Sequence, residues 1–225
     1  MRDLRLIIWD VDGTLTNSRA AILSAMQGAF AQCNLPYPGD AAALEGVGLS
    51  LDILLERLVP DTGVETREAL ARAYKQTYYD QRARQGAAAL APLFPGIRAV
   101  LDHLRAQEWT LMSAATGKSR RGLEAMIAGH ALDGYFYAPQ TADTHPSKPH
   151  PSMIESILAQ SGVEAERAIM IGDTTFDMEM GAAAGVRTLG VGWGYHAAER
   201  LEADAVATSV EDLPRLIDAT LGENG

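Results

Sequence analysis

From about residue 95 onward the chain alternates short apolar runs with stretches of helical periodicity, and each long apolar run ends on a polar cluster. The runs Thr110–Ala115, Ala168–Ile171 and Arg187–Val191 read as buried strands, and Leu4–Trp9 adds one near the start. A shorter strand is expected at Tyr135–Ala138. Helices are predicted over 97–106, 119–128, 151–161 and 176–184. Such alternation folds as a parallel sheet with right-handed crossovers and helices on both faces. The expected class is therefore α/β, a doubly wound, Rossmann-like core. In these sheets ligands bind beyond the carboxyl ends of the strands, where the polar clusters lie.

Residues 18–88 interrupt this pattern. Ile22, Leu23, Met26 and Phe30 recur at helical spacing, and the segment Asn34-Leu35-Pro36-Tyr37-Pro38-Gly39 ends that helix. Further helices are predicted over 40–44, 50–58 and 64–84, the last with a charged face turned to solvent. No strand signal appears in this stretch. The division expected is a core of residues 1–15 and 89–225 carrying an all-helical insert at 16–88.

Composition narrows the function. The 225 residues carry 19 basic and 29 acidic side chains, a formal charge of −10, with no basic cluster of the kind nucleic acid requires. No apolar run approaches the roughly 20 residues that cross a bilayer, and no secretory signal pattern is present, so a cytoplasmic location is expected. Cys33 is the single cysteine, which excludes an internal disulfide and a zinc site of several thiolates; it reads as a packing residue. A monomer or a homodimer is expected.

Four clusters can carry chemistry. Asp10-Val11-Asp12-Gly13-Thr14-Leu15 follows the first strand. Two carboxylates two positions apart can share a crevice, one attacking an electrophile and the other moving a proton, with Gly13 allowing the turn; the competing reading is a turn whose aspartates cap free amides. Thr116-Gly117-Lys118-Ser119 ends a strand and opens a helix, where backbone amides hold anions. A nucleotide-binding P-loop is rejected, because that motif needs a glycine where this chain has Met112. Lys118 and Arg120 read as solvent-facing residues of the first helical turn. Lys148 stands in Pro146-Ser147-Lys148-Pro149-His150-Pro151, and in isolation reads as a surface lysine on a stiff loop. Gly172-Asp173-Thr174-Thr175-Phe176-Asp177 ends an apolar strand with the hard oxygen donors that Mg²⁺ prefers, although helix capping also accounts for Asp177.

Together and in this order, the clusters resemble the motifs of the haloacid-dehalogenase superfamily, in its phosphatase branch near the phosphoglycolate-phosphatase-like hydrolases. The resemblance covers nearly the whole chain, and the helical stretch is similar to the cap that this branch inserts after its first motif. It implies a Mg²⁺-dependent hydrolase of a small phosphorylated metabolite, working through an aspartyl-phosphate. It implies Asp10 as nucleophile and metal ligand. Asp12 becomes the general acid/base and a ligand through its main-chain carbonyl. Thr116 and Gly117 bind the phosphoryl group, Lys148 balances charge between Asp10 and phosphate, and Asp173 and Asp177 hold the metal. Asn17 and Trp9 depart from the family's commoner residues, which leaves the individual substrate open.

Asp12 counts against carbon–halogen cleavage, since dehalogenases of the superfamily lack that aspartate. A sugar phosphomutase and a non-catalytic phospho-accepting or metal-binding module are the alternatives. His103, His130, His145, His150 and His196 show no metal-ligand spacing; His150 is the one placed nearest Lys148 and able to reach the site. Gly190 to Tyr195 reads as a tight loop with aromatic packing, and Gly46 to Leu49 as a loop facing the site.

Overall fold

The structure, a computed structural model, describes residues 4–222. In chain order its main elements are β1 (Arg5–Trp9), α1 (Arg19–Gln32), α2 (Asp40–Glu45), α3 (Leu51–Leu58), α4 (Val64–Gln85) and α5 (Ala87–Leu90). There follow α6 (Ile97–Arg105), β2 (Thr110–Thr116), α7 (Arg120–Gly129), β3 (Gln140–Thr141), α8 (Ser152–Ser161), β4 (Ala168–Gly172), α9 (Thr175–Ala183), β5 (Arg187–Val191), β6 (Ala205–Ala207) and α10 (Leu213–Thr220). The strands form one sheet in the order β3-β2-β1-β4-β5-β6, and every pairing is parallel. This is the expected doubly wound α/β core.

The strand residues alternate between two apolar layers, which explains why the runs read as continuously hydrophobic. Ile7 and Trp9 pack with Val100, Leu101 and Leu123 on one face. Leu6 and Ile8 pack with Ile154, Ile157 and Met180 on the other. β1 is buried along its whole length, so a slip of register would break both layers at once. The chain winds outward from β1 in both directions, and the switch point lies between β1 and β4. There Trp9 pairs with Ile171, and Asp10 N–H donates to the Ile171 carbonyl at 2.8 Å. Asp10 and Asp173 leave the sheet side by side.

Helices α1 to α5 lie between β1 and β2 and add no strand to the sheet. They share a core of their own, in which Met26 and Phe30 of α1 meet Leu54 and Leu55 of α3 and Leu70 of α4. The two connecting segments run together: Asn17 N–H donates to the Pro92 carbonyl at 2.8 Å, and Thr16 bridges Leu93. Most of the α4 charges are solvated as expected, with Glu68 and Arg72 in an exposed i,i+4 pair.

One expectation is corrected. No strand forms at Tyr135–Ala138, where Ala138 has a φ of 43° and turns the chain away from an extended path; Tyr137 N–H still reaches the Met112 carbonyl at 2.7 Å. The strand of that edge is β3, only two residues long. At the other edge β6 and α10 complete the fold without having been anticipated.

Candidate active site

Asp10 is the first residue past β1 and is 1% exposed. The chain then folds sharply: Gly13 N–H donates to the Thr16 carbonyl at 2.9 Å, and Gly13 has a φ of +95°. A side chain there would be strained, and a Cβ would come 2.3 Å from Asp173 Oδ2. The turn therefore requires glycine and carries Asp12 forward into the crevice.

Asp173 follows β4 and is held from two sides. Its Oδ1 accepts the Thr14 hydroxyl at 2.7 Å and its Oδ2 accepts the Tyr195 N–H at 2.8 Å. Asp177 sits in the first turn of α9, where the capping reading of it holds and one oxygen is left for a second partner. One oxygen, Oδ2, accepts from the Thr174 amide and hydroxyl in a capping box. The other, Oδ1, faces Lys148 Nζ at 2.6 Å. Lys148 is no surface lysine. It is 2% exposed and also donates to Asp10 Oδ1 at 2.5 Å.

Asp10, Asp173 and Asp177 each offer a carboxylate oxygen, all within 4.8 Å of one another. Three buried carboxylates around one ammonium carry an excess of negative charge, which is costly in a dry site. Asp10 Oδ2 is also buried with no hydrogen-bond partner among the described residues. A hard divalent cation fits this oxygen set and would relieve both conditions.

The strain is visible in the acidities. Burial pushes the Asp10 carboxyl up to about 7, against the pull of Lys148, with Asp177 and Asp12 adding to the rise. Burial, then the charges of Asp10 and Asp177, raise Asp173 well above the usual carboxylate range. Burial alone would lower Lys148, but Asp10 and Asp177 outweigh it and hold the ammonium above its ordinary value. A folded-state value above the unfolded one means that the folded chain keeps the Asp10 proton where the unfolded chain has lost it. That stabilisation is complete below the ordinary value of 3.8 and gone once the pH passes about 7. Without metal, the stability of the wild type relative to Asp10→Asn is therefore expected to fall across that interval in denaturant titrations. A difference that stays flat with pH would contradict the assignment.

Thr116 closes β2, is 1% exposed, and its Oγ1 accepts the Lys118 N–H at 3.2 Å. At Gly117 a Cβ would come 2.6 Å from the Gly48 and Leu49 carbonyl oxygens, so the residue's smallness lets the insert loop close onto the core. The Gly46–Leu49 loop thus faces the site as expected. Between insert and core lies a cleft of about 380 Å³ into which Asp10, Asp12, Thr116 and Gly117 open.

Lys118 corrects the reading of it as solvent-facing. Its side chain is 12% exposed and its Nζ lies 2.8 Å from Asp12 Oδ2, with the Tyr78 ring of α4 at 5.3 Å. His150 does not reach the site: it is exposed and accepts the Ser152 N–H. His196 is buried between the Thr175 N–H and the Glu45 carbonyl, a packing role. Sequence reasoning gave no role to Thr14, although it stands inside the Asp10–Leu15 motif, or to Tyr195, whose loop was read only as packing. Tyr195 also shares a hydrogen bond with Ser18 at the start of the insert.

The chain is 31% identical over 217 residues to probable phosphatase IndB of Dickeya dadantii, covering 95% of this chain and 92% of that protein. It is 28% identical over 228 residues to the phosphoglycolate phosphatase of Pectobacterium atrosepticum, covering 98% and 95%. Its fold is that of a predicted phosphoglycolate phosphatase from Haemophilus somnus, with a TM-score of 0.84 at 20% identity over 96% of this chain and 99% of the other. A haloacid dehalogenase-like hydrolase from Streptococcus pneumoniae superposes with a TM-score of 0.81 at 23% identity, over 96% and 99%. The family model for haloacid dehalogenase-like hydrolases matches residues 7–191, which spans the strand-end carboxylates, Thr116 and Lys148 together, and the chain belongs to that family.

Proposed function

We propose that this chain is a Mg²⁺-dependent phosphatase that hydrolyses a small phosphomonoester, phosphoglycolate-like or a sugar phosphate, through an aspartyl-phosphate on Asp10. The observation that carries this reading is the buried convergence of Asp10, Lys148, Asp173 and Asp177 at the sheet's switch point. The names of the relatives, phosphatase and phosphoglycolate phosphatase, support the substrate class.

Asp10, Asp173 and Asp177 would hold the Mg²⁺, with the main-chain carbonyl of Asp12 as the resemblance implies. When bound, the ion supplies charge neutralisation for a phosphate dianion beside these carboxylates. The chain's own groups do the rest. Lys148, already against Asp10, offers positive charge where carboxylate and phosphate would otherwise repel each other. Thr116 and the Gly117 amide orient the phosphoryl oxygens at the entrance to α7. Asp10 attacks phosphorus and the ester oxygen departs with a proton from Asp12. Asp12 then takes a proton from water, the resulting hydroxide attacks the acyl phosphate, and Asp10 is released with inorganic phosphate. The net reaction consumes one water per ester. The helical insert covers the crevice, excluding bulk water and contacting the leaving group.

The substrate is proposed to be a free metabolite rather than nucleic acid, and the protein cytoplasmic, as a monomer or homodimer. Among the described residues no helix is long and apolar enough to cross a membrane. A panel of phosphorylated metabolites scored by phosphate release tests the reading. Activity is expected to vanish in EDTA and to return with Mg²⁺; release that persists without metal would overturn the cofactor assignment.

A further inference from the structure

We propose a further activity for this site: it hydrolyses phosphomonoesters whose leaving group carries an apolar aromatic ring, packed against Tyr74 and Tyr78 of the insert. The inference rests on the phosphomonoesterase reading above and goes beyond its small substrates, to the part of the cleft that they leave bare.

The cleft has two chemically different sides. Its core side presents Asp10, Asp12, Thr116 and Gly117, the groups that meet the phosphoryl end. Its insert side is an apolar wall. Tyr74 and Tyr78 stand one turn apart on α4 and both line the cleft, their rings 6.1 Å apart and tilted by 39°. Tyr74 packs with Leu54, and Tyr78 packs with Ile22 and Val47; these three aliphatic side chains line the cleft as well. The tyrosines are therefore held from behind before any ligand arrives, so little ordering is left for binding to impose. Both are only half-buried, which leaves ring surface uncovered. Lys118 Nζ lies 5.3 Å from the centre of the Tyr78 ring and marks where the wall meets the charged floor. At about 380 Å³ the cleft falls in the range of about 300–1,000 Å³ typical of pockets that enclose drug-sized ligands. Glycolate on the phosphate would leave the tyrosine wall wet. A phenyl ring close to the ester oxygen would cover it, replacing water on two apolar surfaces by contact between them. A sugar ring would instead press hydroxyls on Ile22, Val47 and Leu54, which offer no hydrogen-bond partner. The chemistry is unchanged: one water is consumed, the bond from phosphorus to the ester oxygen breaks, and the alcohol leaves with the proton from Asp12.

The test compares leaving groups of the same intrinsic reactivity. Phosphate release would be measured with Mg²⁺ for 2-phenylethyl phosphate and ethyl phosphate, both esters of primary alcohols, and for glucose 6-phosphate, whose ring is polar. In the wild type kcat/KM for the phenyl ester is expected to exceed that for ethyl phosphate about 30-fold or more, since even one methylene in an apolar pocket is worth about tenfold. Glucose 6-phosphate should gain far less. In a Tyr74→Ala, Tyr78→Ala double variant the ratio of phenyl to ethyl ester should collapse to about threefold or less. With phenylalanine at both positions most of it should survive, because the ring faces remain. The wild-type ratio stands whether or not the alanine variant folds. Equal wild-type rates on phenyl and ethyl esters would overturn the proposal and leave the phosphatase reading intact. So would a gain for glucose 6-phosphate as large as that for the phenyl ester, or a phenyl preference that persists without the tyrosines. Release from none of the three, nor from any other phosphomonoester, would overturn both.

Discussion

Replacing Asp10 with asparagine is expected to lower kcat by on the order of 10³-fold or more, as removal of a nucleophile does in other covalent catalysts. The substitution keeps the size of the side chain and leaves an amide oxygen able to accept from Lys148. What it removes is the negative charge that attacks phosphorus. The loss should be chemical rather than structural. Asp10 is one of three crowded, buried carboxylates, and its own acidity is weakened to about 7 by that burial. Near neutral pH without metal the variant should melt no lower than the wild type, because one source of repulsion has gone. Phosphate release and thermal melts on the same preparation check both halves. Retention of more than a few per cent of kcat would sink the nucleophile assignment.

Much of this site is legible along the chain because each cluster is contiguous and stands at the end of a strand. Asp10 and Asp12 share one turn, and Asp173 and Asp177 span one strand-to-helix junction, so local periodicity alone brings them to the same edge of the sheet. The switch point between β1 and β4 then joins the two clusters. Residues whose environment comes from distant segments are harder to read. Lys148 and Lys118 look alike on paper, each a lysine in a polar loop. One becomes buried between Asp10 and Asp177, and the other is folded against Asp12 beneath a tyrosine of the insert. Neither partner set can be inferred from neighbours in sequence. Thr14 and Tyr195 follow the same rule, since each acts on Asp173 from another part of the chain.

The edge strands were illegible for a different reason. β3 and β6 are two and three residues long, too short for any alternation to rise above background. The Tyr135–Ala138 segment carries aromatic residues that suit a strand, yet the positive φ at Ala138 shows that the path of the chain overrides that preference. None of these misreadings touches the site, because it is built on the central strands, where burial on both faces leaves the pattern no freedom.

Lys148 is where stability and chemistry are hardest to separate, and its loss should produce the second large effect. Lys148→Met keeps the apolar stem and deletes the charge, leaving Asp10, Asp173 and Asp177 buried together with no cation among them. Breaking a buried ion pair from one side costs about 3–5 kcal/mol, which for a chain of this size is a fall of about 6–20 °C in Tm. Turnover should be lost as well, since Asp10 would face a phosphate dianion without the ammonium. Two conditions distinguish charge from packing. Lysine holds the Asp10 carboxyl down against burial, so without it Asp10 keeps its proton to higher pH. The stability gap to the wild type should therefore be smaller at about pH 5, where Asp10 and Asp173 keep their protons, and widest at about pH 8. Mg²⁺ should also raise the Tm of the variant more than that of the wild type, because the ion meets a more negative site. A packing defect would give the same gap at both pH values and no added response to the ion. Should Lys148→Met melt with the wild type under every condition and still release phosphate, the balance of charge around Asp10 is not what makes this crevice work.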